Sequence, residues 1–369
     1  MANEKQIQKA GDNSTQIQAD AVYLVGIDEK RAREVYTEMS KLTIEQCTSE
    51  AEATANARIG RFEEALIPRI ERIENDFRSF SDPSFQVQLK KAQLTAACTG
   101  RESDYAILAE LLVHRIKNKN DIKKKAYIQK AVEIIDQIDD DSLIALSVFH
   151  AINSFTPNSG FIKDGMQALS ELYERLGCYN LPNDSNWIDN LSVLGAISII
   201  PFSSLQKYEE RFKTVLDGYV TVGIKKGGDR YINACDILIS NNVKTSVLVD
   251  NELLSGYVRF PVPQKGKYDH LNMHYQDVVD GRIIQRPVQL TNVQKDCFNR
   301  VFEQYEDNSG DLYNQVIQNW HELLHSYQPL HRSIEWWNSL RGNIQLTAVG
   351  KTIAHTYAKQ IDPSLPDLD

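Results

Sequence analysis

The sequence predicts a mainly α-helical protein with a β-forming segment at its N-terminus, on three observations. Apolar residues recur at steps of three and four from residue 28 to about residue 80. A succession of shorter helical patterns with brief connections follows. Residues 1–27 differ from both, carrying turn chemistry and a two-residue alternation.

In that first segment Gln6-Ile7-Gln8 recurs as Gln16-Ile17-Gln18, with Gly11-Asp12-Asn13-Ser14 between them. Gly and Asn tolerate positive φ, and Asp, Asn and Ser close local turns. Ile17, Ala19, Ala21, Tyr23 and Val25 then alternate with Gln18, Asp20, Val22 and Leu24 until Gly26. This reads as a strand or hairpin. A lone hairpin is marginal in water, so it must pair with the body of the chain or with copies of itself. Gln16, Ile17, Gln18, Tyr23 and Val25 are the candidate oligomerisation residues.

The long helix runs through Val35, Met39, Leu42, Cys47, Ala51, Ala55, Ile59, Phe62, Leu66, Ile70, Ile73 and Phe77, with Asp28 as its N-cap. Pro68 is expected to kink or restart it. Such a length suits a helix that packs against another chain or along a whole domain. Shorter helices are expected at roughly 84–98, 104–117, 121–137, 141–154, 161–176, 186–200, 204–219 and 229–239. Asp82 or Ser84, and Asp104, are the expected starts; Gly100, Asn118 and Gly177 are expected stops. No fixed repeat of 30 to 45 residues is present, which leaves a multi-helix bundle or an irregular α-solenoid. Residues 255–290 turn to Pro, Gly, β-branched and aromatic residues. Short strands are expected at 257–262 and 282–290, the second after an Asp280-Gly281 turn. Helices at roughly 292–306, 311–327 and 347–360 close the chain, with Thr291 and Thr347 as N-caps. The expected organisation is a β-forming oligomerisation segment 1–27, a long helix 28–80, an α-helical bundle 81–254 and a small mixed C-terminal region 255–369.

Composition narrows the function classes. The chain has 369 residues, 42% hydrophobic and 25% charged, a globular balance with room for two domains. Its net charge of −9 does not favour a nucleic-acid surface and predicts solubility. The five cysteines are odd in number and none forms a CxxC pair, which excludes a zinc knuckle and points to a reducing compartment. The first 20 residues lack the apolar core of a secretory signal. The most apolar stretch, 191–205, is too short for a bilayer and reads as a buried helix ending at Pro201. The expectation is a cytoplasmic protein with no membrane partner.

His321-Glu322-Leu323-Leu324-His325 matches HExxH. On a helix the two histidines share one side and can hold zinc, with the Glu as general base. His331 falls where the extended metzincin-type pattern puts a third ligand, and the eleven residues from His321 to His331 resemble it. That resemblance implies His321, His325 and His331 as ligands and Glu322 as base. It departs from the pattern at Gln328, where the turn glycine belongs, and no methionine follows to make a Met-turn. On a helical wheel Leu312, Val316, Ile317, Trp320, Leu323, Leu324 and Tyr327 fill one arc. His321 and His325 lie beyond its edge and Glu322 further round, which favours a solvated face over a metal site.

Other motifs are weaker. His270 and His274 stand four apart beside Asp269 and Asp277 in a region without clear helical pattern. Arg115, Lys117, Lys119, Lys123, Lys124 and Lys125 form a basic run, followed by acidic Asp136, Asp139, Asp140 and Asp141. The run reads as a solvated helix junction; the sharper reading is an anion or phosphate patch. No aromatic residues interleave the lysines, which argues against single-strand binding. Gly223 to Gly228 lacks phosphate-loop spacing.

The run Ala10-Gly11-Asp12-Asn13-Ser14-Thr15-Gln16-Ile17-Gln18-Ala19 resembles the opening of a family of uncharacterised bacterial proteins. Leu346-Thr347-Ala348-Val349-Gly350-Lys351-Thr352-Ile353-Ala354 resembles the same family's closing motif. The resemblance touches both ends of the chain and carries no established chemistry. It implies self-assembly in a phage-defence setting. Two functions follow as expectations. One is an oligomeric interaction or sensor protein with itself and another protein as partners and no cofactor. The other is a zinc metallopeptidase.

Overall fold

The computed structural model describes residues 29–74, 77–268, 271, 274–279, 282–287 and 290–368. The expected N-terminal strand with Gln16, Ile17, Gln18, Tyr23 and Val25, the cap Asp28, His270 and the Asp280-Gly281 turn lie outside the described residues. The chain divides into two units, Met1–Asn56 and Ala57–Asp369.

The fold is mainly α. Helix α1, Glu29–Glu71, is the expected long helix. Pro68 sits in its last turn; its missing N–H leaves the Glu64 carbonyl without the usual donor, and the helix runs only three residues further. Then come α2 Pro83–Cys98, α3 Glu102–Lys117, α4 Ile122–Ile134, α5 Asp140–Ser154, α6 Ile162–Arg175 and α7 Asn186–Val193. Strand β1 Ile197–Ile200 precedes α8 Tyr208–Val215, β2 Ile224–Lys225, α9 Asp229–Ser240, β3 Val249–Asp250 and β4 Tyr257–Arg259. The hairpin strands β5 His274–Val279 and β6 Arg282–Pro287 follow. The chain closes with α10 Asn292–Phe302, α11 Gly310–Ser326, α12 Gln328–Ser339, β7 Asn343–Leu346 and α13 Ala348–Ile361.

Local chemistry sets many of these bounds. Asp82 accepts the Ser84 N–H at 2.8 Å and starts α2, with Pro83 in the first turn where its lost donor costs nothing. Thr291 and Gln294 make a reciprocal capping box for α10, and Thr347 caps α13 through the Gly350 N–H. Asp104 lies inside the first turn of α3 rather than before it, and accepts hydrogen bonds from Thr99 at 2.5 Å and Arg101 at 2.7 Å.

Within Ala57–Asp369 one core runs from Phe62 through α2–α8 to Val316, Trp320, Trp337 and Ala358. Helix α13 packs against α3, α4 and α5, while α12 packs against α6, α8 and α11. A second core joins Ile224, Leu238, Val258, Phe260, Phe298 and Val301, from the order β2-β4-β3 with α9 and α10. Residues expected to form one C-terminal region from 255 thus contribute to two different cores.

Several elements depart from the sequence reading: the long helix ends at Glu71 rather than near 80, with Phe77 at φ 49°, and β2 and β3 were not expected. The helix expected over 186–200 stops at Val193, Gly195 takes φ +73°, and 197–200 pair antiparallel with β7, Ile197 opposite Leu346. Distant strand pairing overrides a local apolar run that fits a helix equally well. Helix α12 was not expected: the sequence reading has no helix between 327 and 347, yet Pro329 occupies the first turn of a new helix that buries Leu330, Trp336 and Trp337. No helix among the described residues is long and apolar enough to cross a membrane.

Arg259 is fully buried and ties the two cores together. Its guanidinium donates to the carbonyls of Phe260 and Gly160 at 2.9 Å and to Glu252 at 3.1 Å, and lies over the Tyr219 ring. Glu252 in turn accepts the N–H groups of Ile162 and Lys163 at the start of α6. Glu252→Ala leaves a buried cation unpaired and is expected to cost about 3–5 kcal/mol of unfolding free energy in denaturant titration. A loss under about 1 kcal/mol, the scale of an exposed pair, would contradict this role.

Candidate functional site

Helix α11 buries Val316, Trp320 and Leu324 and packs Tyr313, Ile317, Leu323 and Tyr327 against the core. That is the expected face, except that Leu312 is exposed. Glu322 is exposed and accepts from Gln318 at 3.0 Å. His321 and His325 are half-buried rather than fully solvated, because α8 brings Glu209 to their side. His321 Nε2 is buried without a partner. Burial holds its pKa below the ordinary value, with Glu209 opposing the shift.

The start of α12 turns His331 toward α11. His325 Nδ1 and His331 Nδ1 are 2.6 Å apart, with ring centroids 4.9 Å apart and edge-on. At that separation one ring donates a proton and the other accepts it. The outer nitrogens face carboxylates: His325 Nε2 is 4.0 Å from Glu209, and His331 Nε2 is 3.5 Å from Glu335. The structure therefore brings together two of the three expected ligands. Two nitrogens on one tetrahedral zinc stand roughly 3.3 Å apart, so these rings would have to separate to share a metal. Among the described residues no group of three or more His, Cys, Asp or Glu side chains is placed to hold a metal ion.

Sequence reasoning missed a second histidine pair. His150 on α5 and His355 on α13 are both buried, with His150 Nε2 3.2 Å from His355 Nδ1. His355 Nε2 reaches the Pro366 carbonyl at 2.9 Å, and Ser154 Oγ is 3.1 Å from His150 Nδ1. A carbonyl only accepts, so with neutral rings every direction follows. His355 donates to Pro366, His150 donates to His355, and Ser154 donates to His150. Ser154 stands at the edge of a cleft that Arg211, Trp337 and Lys351 also line.

This arrangement has the connectivity of an activated serine, but not its energetics. Burial pushes His150 down to about 3, with His355 adding to the effect, and burial also lowers His355. A base that weak does not take a hydroxyl proton near neutral pH. The relay instead fastens the C-terminal stretch to the core. Since the folded pKa lies below the unfolded value of about 6.5, the unfolded chain binds the extra proton first. Stability is full above pH 6.5 and is lost as the pH falls toward 3, by about 1.4 kcal/mol per pH unit for this group. The thermal midpoint of the chain is expected to fall through that window, and less steeply in His150→Gln. Parallel profiles would contradict it.

The third candidate lies on α1. Among described side chains in residues 30–56 none is buried. Tyr36 is 75% exposed, Met39 63%, Leu42 65% and Ile44 64%. Met39, Leu42, Cys47 and Ala51 belong to the stripe read from the sequence, yet each of them is exposed. Tyr36 and Ile44 fell off that stripe; Ile44 continues as Cys47, Ala51 and Ala55 at helical steps.

The chain matches a family model over residues 26–368 and belongs to that family, whose description, ":-like", names no activity. The matched span contains the closing motif at 346–354 and begins after the opening motif at 10–19. No curated protein and no solved structure matches the chain.

Proposed function

We propose that this is an interaction protein that assembles with copies of itself through residues 29–56 and the segment before them. Its helical body, 57–369, then receives a protein partner, in the host-defence setting that the opening motif implies. The observation that carries the reading is the exposure of Tyr36, Met39, Leu42 and Ile44 on one helix. Helices in water take most of their stability from packing an apolar face. Among the described side chains of residues 30–56, on about 40 Å of helix, none is buried. A second copy offers the same exposed apolar residues and so a self-complementary contact.

Light scattering on the full chain tests this. The wild type is expected at two or more chain masses, and Met39→Glu with Leu42→Glu is expected to reduce it to one. These side chains lie outside both cores, so the unfolding midpoint of the body should not move. A wild-type mass of one chain at the highest soluble concentration would overturn the proposal.

A second reading, a zinc peptidase with His321, His325 and His331 as ligands and Glu322 as base, is favoured by the meeting of His325 and His331. Against it stand their direct contact and the pairing of Glu322 with Gln318. Elemental analysis of protein purified without chelator is expected to find no stoichiometric zinc. One zinc per chain, lost in His325→Ala with His331→Ala, would make the peptidase the primary reading.

A further inference from the structure

The basic run at the junction of α3 and α4 does more than face solvent. A cavity of about 340 Å³ lies between α3, α4 and α13. Lys117, Lys124 and Lys351 line it together with His114, and Tyr127 and Ile128 form an apolar side. Lys351 stands in the first turn of α13, where the helix dipole adds positive potential. Three ammonium groups around one hollow are unexpected in a chain of net charge −9. Lysine serves phosphate as a compact point charge.

Part of the remaining wall is the chain's own C-terminal stretch, Asp367 and Leu368. The Asp367 carboxylate pairs with Lys359. It is held below the usual carboxylate range by Lys359 first, and also by Lys117 and His114. An internal anion therefore already lies at the cavity wall, paired with Lys359 and near Lys117. Its side chain is 76% exposed, and an exposed pair of this kind is weakly held. Tyr127 is 37% exposed and offers a ring face beside the charges. The volume is at the lower end of small-molecule sites, roughly 300–1,000 Å³.

We propose that this cavity binds a small phosphate-bearing molecule with a planar ring, of mononucleotide size, and that Asp367 stands in for the phosphate until the ligand displaces it. The lysines take the phosphate, and the side formed by Tyr127 and Ile128 takes the ring. The site is independent of residues 29–56, so it does not rest on the assembly reading.

Calorimetric titration of the full chain tests it, with adenosine, guanosine, cytidine and uridine monophosphates titrated separately and inorganic phosphate as a fifth probe. At least one nucleotide is expected to bind more tightly than phosphate. Lys117→Ala with Lys124→Ala should weaken it about tenfold or more, as loss of charge-assisted contacts does. Asp367→Asn should tighten it several-fold, because the competing carboxylate is gone. Lys117 and Lys124 lie at the surface, and an unchanged thermal midpoint without ligand verifies that the variant is folded. The proposal is overturned by no binding of any nucleotide to the wild type or to Asp367→Asn. Affinity indifferent to the lysine changes would overturn it too, as would equal affinity for phosphate alone.

Discussion

Helix α13 is the constraint on which the rest of the body depends. It lies against α3, α4 and α5, and its start is locked to a distant turn. The Thr347 N–H donates to the Ala196 carbonyl at 3.0 Å, and its hydroxyl donates to the Gly195 carbonyl at 2.7 Å. Gly350 is needed there: a Cβ on it would come within 2.0 Å of the Ala196 oxygen. One turn further on, His355 joins His150 and the Pro366 carbonyl. A single helix thus fixes the β1–β7 pair, closes the core beside α5 and holds the C-terminal stretch over the lysine cavity.

Residues 29–56 obey the opposite logic. Their helix has good helix formers and local support, such as the Gln46 to Glu50 hydrogen bond at 3.0 Å. Thr37, Thr43, Thr48 and Thr54 each return a hydroxyl to the carbonyl four residues back, which satisfies the side chains but adds no burial. Local terms of a few tenths of a kcal/mol each do not replace a packed face. In the proposed assembly a second copy supplies the packing for these exposed residues.

Much of this was legible in the sequence, and the failures share a cause. Periodicity located the helices, and short-range chemistry fixed starts at Asp82, Thr291 and Thr347, because a cap and the N–H that donates to it lie within three residues. The wheel placed His321 and His325 beside the buried arc of α11 correctly, but could not show that α8 covers them. Contacts between remote residues left no local trace. The β1–β7 pair joins segments about 150 residues apart, and His150 meets His355 across 205. The lysine run was visible; that Lys351 and Asp367 complete a cavity with it was not. Helix α12 was not expected at all, although Pro329 suits the first turn of a helix.

The most direct test of the central claim is hydrogen exchange across residues 29–56 of the full chain, measured over a dilution series. Self-association through the exposed stripe predicts slow exchange at high concentration that speeds up on dilution, while amides in the core of the body stay unchanged. Fast exchange at every concentration would contradict the account, since it would mean that no second copy covers Tyr36, Met39, Leu42 and Ile44.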